Sequence, residues 1–274
     1  MTNGNAWATP RGWILIRDAA ATFLPNPRDP DDKIQLAHLP EALHSRCSCV
    51  LSGKPTIPGC VVLLVEPVDT VIWYFHVGED EEWTRHEYDI GIQMLDPPID
   101  GKDHEKTPIC SIGAYQGKFY FNSNFKAISR LELTPTPVFS SIRITDPIAG
   151  GLGVSGAASE FSVESENDLY MVCQLLDWDI RTVYDVTVYK MDFSKHKWCV
   201  AEDIGGRVFL IAPWYFGPSC SAEECGLEKD RVCAIFAHYK YFEVSKVEDG
   251  ETDEHELIDA PYSEHGMWIL PTET

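Results

Sequence analysis

The chain has 274 residues, of which 44% are hydrophobic, and its 43 acidic and 22 basic residues give a net charge of −21. This composition excludes a disordered chain, and the negative field repels phosphate backbones, so we expect no nucleic-acid partner. The longest apolar run is strand-length, below the roughly 20 residues of a membrane span, and nine scattered cysteines favour the reducing cytosol or nucleus over a disulfide framework.

Apolar strands broken by polar turns follow one another from the start of the chain. The first hairpin joins 12–17 to 22–24 and ends at Pro25. Two groups of three strands come next, at 61–65, 71–75 and 82–88, and then at 110–115, 118–121 and 128–133. Strands 61–65 and 71–75 are apolar on both sides, which indicates sheets that are covered on both faces.

The fourth group carries the most specific pattern. Strands 160–164 and 168–172 precede a run of alternating apolar residues, Val186, Val188, Met191 and Phe193. A polar turn then leads to Trp198, and Gly205-Gly206 supplies a turn before strand 207–211. Equivalent points recur at the ~40–50 residues per blade of WD40 and kelch propellers. The sequence therefore predicts an all-β propeller of five or six four-stranded blades, in a single domain spanning 1–274.

The two ends of the chain resemble each other. Segments 12–15 and 266–271 are both solitary apolar strands. A ring that pairs its first and last strands removes two sheet edges, so we predict that the termini close the propeller by sharing one blade. Helix is predicted only as short turns at 39–44 and 223–225.

Motifs for cofactors and catalysis do not meet their structural requirements. The Gly-x-Gly-x-x-Gly string at 151–156 needs a strand before it and a helix after it, yet Pro147 precedes it and a strand follows. Acid pairs such as Asp177 with Asp179 are weak evidence for a glycosidase dyad, because acids are abundant in this chain. We therefore expect no catalytic residue and no cofactor.

Cysteine spacing gives no metal site. Cys47 and Cys49 are separated by one residue, and Cys220 and Cys225 share one loop, so neither pair has zinc-finger spacing. The Cys220 loop is the single candidate for a reactive or metal-binding position. The acidic segment 248–256 lacks the pattern of a calcium loop and is interpreted as a mobile surface loop.

An aromatic cluster is the candidate contact surface. Prolines bracket Trp214, Tyr215 and Phe216, which fall outside any clean strand pattern. Because Trp and Tyr concentrate in interface hot spots, these three are the candidate partner-binding residues. The alternative is a loop that folds back over the propeller channel as a plug.

Several of these residues also resemble a known family. The run 190–194, Trp198 and the block 205–211 resemble the KIB-type β-propeller of plant F-box proteins (domain of unknown function 295). Segment 219–227 is similar to the Ser-x-Ser-Ala-x-Glu-x-Gly-Leu passage of this family. The resemblance implies the target-holding propeller of an adaptor in SCF-type ubiquitin ligases, in which an F-box docks on a Skp-like subunit.

No F-box is recognisable here, since the propeller pattern begins almost at once, so docking on a Skp-like subunit is not expected. The sequence predicts a non-enzymatic propeller that binds a target protein through the loops of one face and the central opening. Two alternatives stay open. One is a hydrolase or lyase whose carboxylates, Asp177, Asp179 or Glu223, gather at the axis, and the other is a small-molecule receptor using the same opening.

Overall fold

Five β-sheets form a ring, as the blades of a β-propeller. The computed structural model describes residues 5–26, 29–39, 43, 47–67, 69–99, 101–134, 136–145, 157–176, 183–212, 217–235, 241–257 and 268. The predicted all-β propeller is confirmed, with five blades. Among these residues no helix is long and apolar enough to cross a bilayer.

Blades 1 to 4 each consist of four antiparallel strands in chain order. Blade 1 contains β1 (Asn5–Ala8), β2 (Ile14–Arg17), β3 (Thr22–Asn26) and β4 (Asp29–Leu36). Blade 2 contains β5 (Ser48–Leu51), β6 (Val61–Val65), β7 (Val71–His76) and β8 (Thr84–Glu87). A two-stranded ribbon follows, made of β9 (Ile92–Ile99) and β10 (Lys102–Lys106). Blade 3 contains β11 (Gly113–Tyr115), β12 (Lys118–Phe121), β13 (Ala127–Glu132) and β14 (Val138–Arg143). Blade 4 contains β15 (Ala157–Ser165), β16 (Asp168–Leu176), β17 (Val183–Asp192) and β18 (Lys197–Val200).

Blade 5 departs from the predicted four-stranded pattern. Its elements are β19 (Arg207–Ile211), β20 (Ser219–Ser221), the one-turn helix α1 (Ala222–Cys225), β21 (Arg231–Ile235), β22 (Tyr241–Lys246) and β23 (Thr252–Glu256). The spatial order is β20-β19-β21-β22-β23, and β19 runs parallel to β21. The chain re-enters the sheet in direct contact with β19, because a Cβ on Gly217 would lie 1.2 Å from the Leu210 carbonyl oxygen. This insertion explains the fifth strand.

Strands in the middle of the ring bury both faces between neighbouring blades. All of β6 is buried, as its apolar sequence predicts. In β17, Val186 and Val188 pack in a core cluster shared with blade 5. Tyr189 and Met191 point the other way, into a cluster shared with blade 3. The alternating apolar residues of this strand therefore serve two interfaces, since side chains alternate across a strand.

The strand–turn–tryptophan pattern of blade 4 is confirmed. His196 takes the left-handed conformation (φ 50°) in the turn between β17 and β18. Trp198 pairs with Met191, and its Nε1 donates to the Asn124 carbonyl of blade 3 at 3.3 Å. Gly205 and Gly206 have φ values of 74° and 72°, a region that favours glycine.

The inner strands of the five blades contact one another in the order β1, β5, β11, β15 and β20. At the seam between blades 5 and 1, Trp268 packs with Ala8 and Ala212 and donates from Nε1 to the Ile211 carbonyl at 2.9 Å. The C-terminal part of the chain therefore reaches the seam. Apart from Trp268, the predicted strand 266–271 lies outside the described residues, so a blade shared by both termini stays a prediction.

The interpretation of 248–256 as a surface loop is wrong for its second half. Residues 252–256 form β23, which pairs with β22 along its whole length. The reason is backbone hydrogen bonding, because the outer edge of β22 otherwise leaves N–H and C=O groups without partners. Acidic side chains suit this outermost position, where charge discourages pairing with other chains. The predicted helical turn at 223–225 is confirmed as part of α1, whereas that at 39–44 lies outside the described residues except for Leu39 and Leu43.

Candidate functional site

One end of the propeller axis opens into a cavity of about 660 Å³, which we call the axial mouth. Its walls come from the turn after β1, the segment after β5, the turn between β15 and β16, and the start of blade 5. The charged and aromatic side chains that line it are Arg11, Trp13, Lys54, Glu164, Glu166 and Arg207. They come from four different blades, so the mouth exists only in the closed ring.

An ion pair across the axis forms the floor of the mouth. Arg11 of blade 1 reaches Glu164 of blade 4 with an Nη2–Oε2 distance of 3.1 Å, and their side chains are 28% and 16% exposed. The β1–β2 turn projects Arg11, since the Thr9 N–H donates to the Trp13 carbonyl at 2.8 Å and Gly12 has a φ of 79°. Partial burial strengthens the Coulombic attraction between the two charges, while their desolvation offsets part of that gain.

Below this ion pair the axis is almost closed. The remaining space measures about 10 Å³ and is lined by residues that include Val50, Gly113 and Ser162. Gly113 permits close approach, because a Cβ there would lie 3.2 Å from the Ser162 Cβ. Among the described residues, the Arg11–Glu164 ion pair is therefore the floor of the axial mouth.

Arg207 forms the wall on the side of blade 5. Its Nε donates to the Ser219 hydroxyl at 2.6 Å and its Nη2 to the Ser219 carbonyl at 2.9 Å. Nη1 contacts Glu166 at 2.7 Å, and that carboxylate is 70% exposed. The Ser219 hydroxyl also contacts the Ser165 hydroxyl at 2.7 Å, which joins blade 4 to blade 5. Three contacts thus hold one guanidinium at the edge of the axial mouth.

The turn between β15 and β16 presents the exposed carboxylate. Glu166 and Asn167 both have positive φ, 50° and 63°, the arrangement of a tight two-residue hairpin turn. Asn tolerates this conformation better than most residues do. The Glu166 side chain is therefore placed at the mouth by local backbone geometry.

The charge of the mouth differs from that of the whole chain. Three basic side chains and two acidic ones line it, although acids outnumber bases about two to one in the sequence. Lys54 is exposed at the rim and makes no ion pair with a described residue. The axial mouth is thus a locally cationic cup in an acidic protein, suited to carboxylate groups.

The chemistry of the lining gives no support to the hydrolase or lyase alternative. No histidine or cysteine occurs among its described residues, and its two carboxylates, Glu164 and Glu166, are each paired with an arginine. Glu223 is exposed on α1 and does not line the mouth. Asp177 and Asp179 lie outside the described residues. Within the described part of the chain, no group of three ligating side chains could hold a metal ion.

The candidate partner-binding residues Trp214, Tyr215 and Phe216 also lie outside the described residues, and their role stays a prediction. The flanking residues Ala212 and Gly217 lie at the end of β19 opposite Arg207. The sequence reasoning did not find the mouth. The one usable signal was the Glu166-Asn167 turn, which favours positive φ but does not say what the turn faces.

Nearly the whole chain matches one protein family, since a family model described as KIB1-4 β-propeller covers residues 1–263. Among solved structures, the β-propeller domain of Cps50 (Swd1) from Myceliophteria thermophila is similar at 7% identity and a TM-score of 0.33, covering 89% of this chain and 67% of that one. Dihydro-heme d1 dehydrogenase NirN in complex with DHE is similar at 12% identity and a TM-score of 0.30, covering 89% of this chain and 43% of that one. No curated protein sequence matches the chain significantly.

Proposed function

This chain belongs to the KIB1-4 β-propeller family, and we propose that it is a non-enzymatic propeller that binds a target protein through the axial mouth. The observation that carries the proposal is the grouping of Arg11, Lys54 and Arg207 in a chain with a net charge of −21. A rigid ring with independently variable connections is a suitable platform for recognition. The site and not the fold supports this proposal, because the propeller fold hosts many activities.

The contacts of the mouth favour a partner that carries carboxylates. Glu166 is largely exposed, so its pair with Arg207 is worth about 0–1 kcal/mol and an incoming carboxylate can replace it. Arg207 stays oriented during this exchange because Ser219 holds it from the other side. Trp13, which is half-buried, adds an apolar wall. The partner segment therefore carries carboxylates next to an apolar side chain.

Family membership supports a more specific role. We propose that the propeller holds its target as the target-recognition domain of plant F-box adaptors of SCF-type ubiquitin ligases does. We expect the 274 residues, of which the propeller model covers 1–263, to bind the target without binding a Skp-like subunit. Immobilised chain exposed to a recombinant Skp-like subunit tests this point, and tight binding would contradict it.

The experiment on the mouth compares two charge reversals. Partners captured from a plant-cell extract are identified by mass spectrometry, produced recombinantly and titrated against the wild-type chain. Lys54→Glu reverses a charge at the rim, whereas Lys106→Glu reverses an equally exposed charge on the ribbon. We expect Lys54→Glu to weaken binding about tenfold, or about 1.4 kcal/mol, and Lys106→Glu to leave it unchanged.

Salt provides a second measurement. Binding that depends on carboxylates at the mouth weakens as ionic strength rises, and Lys54→Glu reduces that dependence. Equal affinities for the wild type and both variants, or equal losses in the two variants, would contradict the assignment of the axial mouth.

The size of the mouth favours a second candidate, a receptor for a small anionic molecule. Its volume falls within the ~300–1,000 Å³ of ligand pockets. Thermal-shift screening with small carboxylates and phosphates separates the two proposals, because a ligand that binds only the folded state raises the midpoint. A rise that is lost in Arg207→Gln would favour the receptor, and no rise with any anion would argue against it.

A further inference from the structure

Two cysteines flank the short helix of blade 5. Cys220 lies in β20 and is 5% exposed, while Cys225 ends α1 and is half-buried. Cys225 packs against the apolar cluster that contains Cys220. None of the nine cysteines is in a disulfide. The pair thus consists of two free thiols that meet in one apolar cluster.

Local backbone structure holds this contact. The Ser221 side chain accepts the Glu224 N–H at the start of α1, and the Leu227 N–H donates to the Ala222 carbonyl at 2.9 Å. Gly226 ends the helix in the left-handed conformation, with a φ of 65°. Both ends of the helix are therefore capped, which keeps Cys220 and Cys225 close. A sulfur–sulfur bond demands such preset geometry, because Cα atoms must lie within about 4.4–6.8 Å.

We propose that Cys220 and Cys225 are a modification site, oxidised by a hydroperoxide to an intramolecular disulfide. The Cys225 thiolate attacks the peroxide, the O–O bond breaks, and a sulfenic acid forms on Cys225 with release of an alcohol, or of water from hydrogen peroxide. The Cys220 sulfur then attacks the Cys225 sulfur. The S–S bond forms, the S–O bond breaks, and water leaves with the Cys220 proton. The two thiols lose two electrons, which the peroxide takes up.

The difference in exposure indicates which thiol reacts with the peroxide and which one resolves the sulfenic acid. Cys225 is the accessible thiol and meets the oxidant first. Burial, followed by the neighbouring Cys225 thiol, raises the pKa of the Cys220 thiol. Cys220 is therefore a poor first nucleophile but is in place to resolve a sulfenic acid at Cys225.

Each of the other cysteines lacks either access to an oxidant or a second cysteine in the same apolar cluster. Cys47, Cys49 and Cys60 share one cluster but are all buried, so an oxidant does not reach them. Cys110 is exposed but lies outside every cluster that holds another cysteine. Cys233 shares the cluster of Cys220 and is buried in β21. Cys110 is accordingly the matched control for accessibility, and Cys233 for pairing.

The test uses the wild-type chain with a small excess of hydrogen peroxide, followed by N-ethylmaleimide, denaturation and trypsin. The tryptic peptide 208–229 contains both cysteines, whereas Cys233 falls in another peptide. We expect this peptide to lose two hydrogens, about 2 Da, and to take up no N-ethylmaleimide before Cys110 is oxidised. In Cys220→Ser we expect dimedone to trap a sulfenic acid on Cys225, while Cys110→Ser and Cys233→Ser form the disulfide as the wild type does.

Three results would overturn the proposal. The peptide could take up N-ethylmaleimide at both thiols after Cys110 has been oxidised. Cys225 could proceed to a sulfinic acid in the wild type with no disulfide. The cross-link could join Cys220 to Cys233 instead. Because the wild-type reaction is the primary measurement, the outcome does not depend on the folding of any variant.

Discussion

Glu243 is a buried carboxyl group whose replacement tests the packing between blades 4 and 5. It lies in β22 with 5% exposure, and its Oε2 has no hydrogen-bond partner among the described residues. Its neighbour Val244 packs in the cluster of Cys233, so Glu243 points to the opposite face, towards blade 4. Burial, and to a lesser extent the charge of Glu254 opposite it, raises the pKa of Glu243 to about 7.

The sign of the pH dependence follows from this pKa. At a pH below the ordinary value of 4.5, Glu243 is protonated in both folded and unfolded states. Between pH 4.5 and about 7 the unfolded chain releases the proton more readily, so stability falls as pH rises. Above pH 7 the whole penalty is present, at most about 3 kcal/mol for this displacement.

Glu243→Gln keeps the shape of the side chain and removes its ionisation. We expect the variant to exceed the wild type in free energy of unfolding by about 1 kcal/mol at pH 5.5 and about 3 kcal/mol at pH 8.5. Urea titration followed by tryptophan fluorescence measures the difference, and this range stays above the pI of 4.7.

Glu254→Gln is the control for Glu243→Gln. It removes the neighbouring charge at an exposed position and should change stability by a few tenths of a kcal/mol. An advantage of Glu243→Gln that is constant across the pH range, or a less stable variant at pH 8.5, would refute the reasoning.

Gly217→Ala places a methyl group 1.2 Å from a backbone carbonyl of β19, so we expect no folded protein by circular dichroism, whereas Gly53→Ala, with nothing within 4 Å, folds normally. Gln174→Met removes a fully buried amide whose two polar atoms lack partners among the described residues. The free energy of unfolding should rise by about 1–3 kcal/mol in the same urea titration, and a fall would mean that the amide is paired. Trp268→Phe deletes the hydrogen bond at the seam and should lower the thermal midpoint by about 2–4 °C, while an unchanged midpoint would show that other contacts close the ring.

Blade 4 shows how much of the fold could be read from sequence. Alternation in β17, a polar turn and Trp198 are local signals, and each reflects hydrogen bonds or burial within one hairpin. Strand 29–36, by contrast, was not predicted, because it begins with three aspartates and a proline rather than with an apolar run. Its pairing with β3 supplies the stabilisation that its composition does not.

The irregular parts of blade 5 could not be predicted from the sequence, because they depend on contacts that form only in the assembled sheet. β19 and β21 are parallel, and the chain between them places β20 innermost. Gly217 can be read from the sequence, but the reason that only glycine fits there cannot. That reason is the Leu210 backbone, which only the assembled sheet brings next to it. The strand at 252–256 likewise depends on the free edge of β22 rather than on its own acidic residues.

By itself the order of apolar residues and turns determined that this chain forms small twisted sheets in a ring, because strand and turn preferences act over neighbouring residues. The resemblance in 190–211 and 219–227 also pointed to the family. Only the tertiary structure brings the lining of the axial mouth together. Arg11, Lys54, Glu164 and Arg207 are each ordinary polar residues in a turn or at a strand end. Ring closure alone brings them to one axis, where their charges interact because they are close together.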